Sequence, residues 1–151
     1  MKLIVGLFTV LVAIIIAVAI SQGYFNPFGK NATVTIGKQT FKTTIATSDK
    51  DKQVGLSSKT TLPQDEGMLF TFEKPDYYAF WMKEMKFPID IIYLKDNKIV
   101  TIFPNVPVPA SKDENPPIYK PEEPADTVLE INAGLSQKNN FQKGDVVTIK
   151  K

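Results

Sequence analysis

The hydropathy pattern splits the chain into one long apolar run followed by many short ones. Leu3 to Ile20 carries no charge, with small Gly6, Thr9 and Ala13 scattered through it. A helix of that length, at ~1.5 Å rise per residue, reaches about 27 Å and just spans a bilayer core. Beyond it, apolar and polar positions alternate with the period of strands. Thr33 to Ile36 and Thr40 to Ile45, separated by Gly37-Lys38, predict a hairpin. Ser48 with Asp51 three residues on predicts a capped short helix from Asp49 toward Leu56.

The runs Gly67 to Phe72, Tyr78 to Met82, Ile89 to Leu94 and Lys98 to Phe103 predict four further strands, punctuated by Lys74-Pro75-Asp76 and Asp96-Asn97. The last two runs make the clearest hairpin. Seven of the eleven prolines fall between Phe103 and Pro124, which predicts an extended loop without ladder pairing, read by default as a cover over a sheet edge. Thr127 to Ile131 and Val146 to Ile149 predict two closing strands, with a short helix or turn over Ala133 to Asn140. The expected fold is mainly β, with a minor helical part. It is a partly closed β-barrel or a pair of packed sheets with two short helices, preceded by an N-terminal transmembrane helix.

Residues 1–21 read as a membrane anchor or signal segment, 22–31 as a stalk and 32–151 as one β-rich domain. Lys2 is the only charged side chain before the apolar run and Lys30 the first after it, so the positive-inside tendency leaves the C-terminal domain outside the cytoplasmic membrane. Ala17-Val18-Ala19 fits a signal-peptidase site, so a secreted, cleaved form stands beside the single-pass anchor. Neither form has disulfides, because the chain lacks cysteine, and a lipoprotein is excluded for the same reason. Asn31-Ala32-Thr33 is a formal glycosylation sequon.

Net charge is +2, and every basic residue is a dispersed lysine, so no nucleic-acid partner is expected. Without histidine or cysteine, nucleophilic triads, thiolate chemistry and imidazole or thiolate metal sites are unavailable. No cofactor, metal site or catalytic residue is expected, although Asp113, Glu114, Glu122, Glu123 and Asp126 form an acidic loop region.

Asp65-Glu66-Gly67-Met68-Leu69-Phe70, Phe80-Trp81-Met82-Lys83 and Pro88-Ile89-Asp90 follow one another in a spacing with Gly55-Leu56 before and Val128-Leu129-Glu130, Gly134 and Gly144-Asp145 after. From about Gln53 to Val147 this pattern resembles domain-of-unknown-function family 192, also called uncharacterised protein family 0127. The resemblance implies a small β-rich domain, frequently behind an export signal, and carries over no catalytic residue. It also implies methionine after the Gly-Leu pair, where this chain has Ser57, and asparagine after the Trp-Met-Lys run, where it has Glu84.

Candidate binding residues are Trp81, Lys83, Asp90, Tyr119 and Glu130. On a strand, Trp81 and Lys83 share one face while Phe80 and Met82 share the other. Trp81 is then either packing against the proline segment or a stacking platform for a sugar ring or peptide proline. Asp90 and Glu130 sit in apolar strands, where a carboxylate must be exposed, paired or hydrogen-bonded, with Lys83 a candidate partner for Asp90. The leading expectation is a tethered, non-enzymatic domain that binds an envelope ligand or a partner membrane protein near these residues. A carboxylate-dependent polysaccharide hydrolase, drawing two acids from Asp65, Glu66, Asp90 and Glu130, and an envelope assembly accessory are the alternatives.

Overall fold

Seven of the eight strands predicted from alternation join into one sheet that curls until its two ends touch, and the eighth pairs in a separate ribbon. The structure, a computed structural model, describes residues 30–111 and 115–151. The expected anchor, cleavage site and most of the stalk, with Asp113 and Glu114, lie outside the described residues. Among the described residues no helix is long and apolar enough to cross a membrane.

In chain order the elements are β1 (Asn31–Ile36), β2 (Gln39–Ala46), α1 (Asp49–Val54), a 3-10 turn (Gly55–Ser58), β3 (Glu66–Asp76), β4 (Phe80–Trp81), β5 (Ile89–Lys95), β6 (Lys98–Val106), β7 (Ile118–Tyr119), β8 (Ala125–Asn132), α2 (Leu135–Lys138) and β9 (Val147–Lys150). Seven strands lie in the order β6-β5-β8-β3-β2-β1-β9, and β4 pairs with β7 in a separate ribbon. Among the described residues only β2 and β3 run parallel, joined by the crossover that carries α1. The outermost strands β6 and β9 meet at one end, where Ile99 donates to Asp145, Gly144 to Ile99 and Val147 to Asn97 at 2.8–3.0 Å. The result is a curled half-barrel.

Local chemistry explains the turns. Asp96 and Asn97 both take positive φ, 50° and 59°, as a two-residue type I′ hairpin between β5 and β6 requires. The Ser48 hydroxyl accepts from the Asp51 amide at 3.1 Å and starts α1 as its sequence predicts. Gly67 has a steric reason: a Cβ there would stand 2.7 Å from the Glu130 carbonyl oxygen.

Alternation along the strands builds two cores, one on each face of the sheet. The first draws on all seven strands, with Val34, Phe41, Leu69, Ile92, Ile99, Leu129 and Val147, and so fills the inside of the curl. The second includes Phe70, Ile91, Tyr93, Val100 and Val128 on the outer face and takes nothing from β1 or β9. Leu56 from the crossover and Met82 beside β4 cap it. Both faces of β5 are therefore buried, which is why Ile89 to Leu94 reads as a nearly continuous apolar run.

Two expectations need correction. The proline-rich segment does pair: β6 extends to Val106, opposite Ile89, and Ile118–Tyr119 pairs with Phe80–Trp81. Pro104 is tolerated because β6 is an edge strand and bulges there, Asn105 taking φ 53°. The strand expected over Tyr78 to Met82 shrinks to two residues, since its only partner is the equally short β7.

Candidate functional site

The outer core is covered incompletely, and the gap is a cleft of about 340 Å³. α1 and the 3-10 turn form one wall with Lys52, Val54 and Leu56; Phe70 and Phe72 of β3 line its base; Tyr78, Phe80, Trp81, Lys83 and Met85 form the opposite wall. Glu130 of β8 reaches it from below.

Aromatic contacts hold this second wall in place. The Phe80 ring packs edge-on against Phe70 at 4.9 Å and against Tyr93 at 5.8 Å, and the chain of contacts runs on through Phe103 to Tyr119. The buried Tyr93 hydroxyl shares its single proton between the Tyr119 carbonyl at 2.8 Å and the Tyr78 carbonyl at 3.0 Å, so one phenol ties β7 and the segment leading into β4 to the main sheet. Burial and, secondarily, the nearby Glu130 push that phenol's pKa up. At the rim Phe72 stacks on Tyr78 at 3.6 Å, and the Lys52 ammonium rests 4.5 Å above the Phe72 ring centre.

Trp81 and Lys83 face out while Met82 is fully buried, as strand parity predicts. Trp81 is 52 % exposed, and its cross-strand neighbour Ile118 is exposed as well. A tight turn follows, closed by the Met85 amide donating to the Met82 carbonyl at 3.1 Å, with Glu84 in left-handed conformation at φ 61°.

Glu130 is the unusual group. It lies opposite Met68 on one side and Ile91 on the other, on the outer-core face. Its Oε2 is buried and makes no hydrogen bond among the described residues. Desolvation pushes its carboxyl up to about 8.

Asp90 is equally buried but belongs to the other face, opposite Ile131. Its Oδ1 accepts from the amides of Asn105 and Gly134 at 2.8 Å each, and Oδ2 accepts from Ser136 at 2.7 Å. The carboxylate thereby clamps the β6 bulge to the start of α2. Its partners are backbone amides, and Lys83 is exposed on the opposite face of the fold.

The structure thus brings Trp81, Lys83 and Glu130 to one cleft. Tyr119 supports that cleft from behind through β7, and Asp90 stands apart. Sequence reading did not single out Lys52, Phe72 or Tyr78; the available signal was the density of rings between Phe70 and Trp81. Asp65 and Glu66 are surface acids beside Lys42 at 3.1 Å and Lys59 at 3.7 Å. The Lys42 hydrogen bond and charge lower the Asp65 pKa. Glu122 and Glu123 share Lys143. None of the acids proposed for hydrolysis faces Glu130 across the cleft, and among the described residues no three acidic side chains gather as a metal site.

The family model described as Uncharacterized ACR matches residues 32–149. A crystal structure of a protein of unknown function from Novosphingobium aromaticivorans shares 33% identity over 78% of this chain and 83% of that one, with a TM-score of 0.67. A Sinorhizobium meliloti protein, named as a candidate transcription regulator, shares 27% identity over 82% of this chain and 97% of that one, with a TM-score of 0.73. No curated protein matches the chain.

Proposed function

The chain belongs to the DUF192 family, and on that footing we propose that it is a ligand-binding module held at the outer face of the cytoplasmic membrane by residues 3–20. Its site is the cleft between α1 and the β4–β7 ribbon. The observation that carries this reading is the partnerless, buried Glu130 oxygen beneath a half-open aromatic cleft. A buried polar atom left without a partner is destabilising by about 1 to 3 kcal/mol, and a ligand donor removes that penalty. Trp81 offers a flat apolar face at the mouth, and Lys83 lies two residues on.

The chain enters the domain close to the cleft. The Lys30 carbonyl accepts from the Ile45 amide at 2.8 Å, and Phe70 of β3 lies opposite the next residue, Ala46. Two strand spacings, about 10 Å, separate the entry point from the cleft's base.

Thermal-shift screening of the full-length protein in mild detergent, against sugars, wall fragments, peptides and small polar aromatics, tests the reading. A ligand that prefers the folded state raises the melting temperature, and Trp81→Ala together with Glu130→Gln removes the rise. If those substitutions leave every such rise intact, the cleft is not the site.

A second reading, an assembly accessory, draws on the exposed Trp81 and Ile118 of the ribbon and Tyr77 just before it. Crosslinking in intact membranes separates the two, because assembly predicts a stable protein partner lost on Ile118→Lys. Hydrolysis has less support, since Asp90 and Glu130 project from opposite faces of the sheet.

A further inference from the structure

We propose that the occupant of this cleft is a small organic ammonium ion, its nitrogen donating to Glu130 and its apolar body lying against Phe72, Tyr78, Phe80 and Trp81. The proposal rests on the ligand-binding reading above and adds the chemical class of the ligand.

Three observations converge on a cation. First, the Oε2 of Glu130 is buried without a hydrogen-bond partner among the described residues, on a strand position flanked by Met68 and Ile91. Second, none of the ion pairs among the described residues includes Glu130; they join Lys42, Lys59 and Lys143 to surface acids. Third, the walls are aromatic, and ring faces attract ammonium groups. The Lys52 ammonium already rests 4.5 Å over Phe72, so the protein's own side chain occupies part of this wall as a cation would.

A neutral hydroxyl would satisfy the carboxyl in its protonated form and gain an ordinary hydrogen bond. An ammonium lets the carboxyl ionise and gains a charge-assisted bond, roughly twice as strong, in a place that excludes water. The charged and titratable groups around Glu130 are Asp49 and Lys52 from α1, Tyr78 and Lys83 from the opposite wall, and Tyr93 from β5. Lys83 and Asp49 are exposed, where salt screens them. The same ammonium chemistry is carried by free amines and by the ethanolamine headgroup of a phospholipid.

The test uses full-length protein in phosphatidylglycerol nanodiscs, titrated at pH 7 with benzylammonium and with benzyl alcohol, which has nearly the same shape without the charge. Trp81, the only tryptophan, reports occupancy by fluorescence. Benzylammonium is expected to bind at least about tenfold more tightly than benzyl alcohol. Calorimetry in buffers of different ionisation enthalpy is expected to show release of about one proton per benzylammonium bound, and none for benzyl alcohol. Glu130→Gln is expected to abolish the tenfold preference while leaving benzyl alcohol binding in place; should that variant fail to fold, the proton release from the unaltered protein decides. Exchanging part of the lipid for phosphatidylethanolamine weakens benzylammonium binding if the headgroup is the source and leaves it unchanged if a free amine is. Equal or tighter binding of benzyl alcohol overturns the ammonium assignment and leaves the cleft standing. Failure of both compounds to perturb Trp81, with no heat of binding, overturns the ammonium assignment, while the cleft itself is decided separately by the thermal-shift screen with Trp81→Ala and Glu130→Gln.

Discussion

Asp90 and Glu130 lie one residue apart in register on neighbouring strands β5 and β8, both buried, yet they face opposite sides of the sheet. Inside the curl, Asp90 finds three backbone amides, and both of its oxygens are partnered. On the outer face, Glu130 finds apolar side chains and an open cleft. Burial of an acid therefore does not by itself mark a site. Whether the surrounding backbone has already supplied its donors separates a structural clamp from a buried group left without a partner.

The sharpest way to break this contrast is Asp90→Ala. It strands the amides of Asn105, Gly134 and Ser136, unfastens the β6 bulge from α2, and should destabilise the fold by about 3 to 5 kcal/mol. Urea denaturation measures it. A loss below about 1 kcal/mol would mean that the clamp is ornamental.

Glu130 should make stability depend on pH. Below its ordinary value of 4.5, both native and unfolded states hold the proton; between 4.5 and about 8 only the native state does. The native state binds more protons in that window, so stability falls as pH rises through it, by an amount on the order of a few kcal/mol. Melting curves between those limits should show the decline, and Glu130→Gln should flatten it. An equal decline in both proteins would assign the effect elsewhere.

Tyr93→Phe tests the tether between the cleft wall and the sheet. Loss of the hydroxyl from the Tyr78 and Tyr119 carbonyls should destabilise the protein by about 1 kcal/mol and speed amide exchange around Phe80 and Tyr119 while β1 and β9 stay protected. Uniform exchange across both regions would show that the ribbon is not a separate unit.

The smallest effect is expected at Glu84. A left-handed φ of 61° is unfavourable for glutamate and easier for asparagine, so Glu84→Asn should stabilise by up to about 1 kcal/mol without altering the cleft's aromatic wall. That turn also gives a backbone reason for asparagine after the Trp-Met-Lys run, independent of binding.

Local rules made much of this fold legible. Asp96-Asn97 announced its hairpin, Ser48 its helix, and the period-two pattern set Met82 inward and Trp81 outward. What stayed hidden is what depends on distant pairing. A two-residue ribbon has no periodicity to detect, and Tyr119 meets Phe80 only because the main sheet brings them together. Insertion of β8 between β5 and β3 is equally invisible along the chain, and it decides that Asp90 and Glu130 diverge. Each acid could be recognised as conspicuous in an apolar strand; the face it took could not be.

A carbon-detected NMR titration of the Glu130 side-chain carboxyl in the ligand-free protein bears most directly on the claim that this acid lies buried and partnerless beneath the cleft. The account predicts a midpoint near 8. A midpoint near 4.5, the ordinary glutamate value, would mean that water or a protein donor already satisfies the group and would contradict the account.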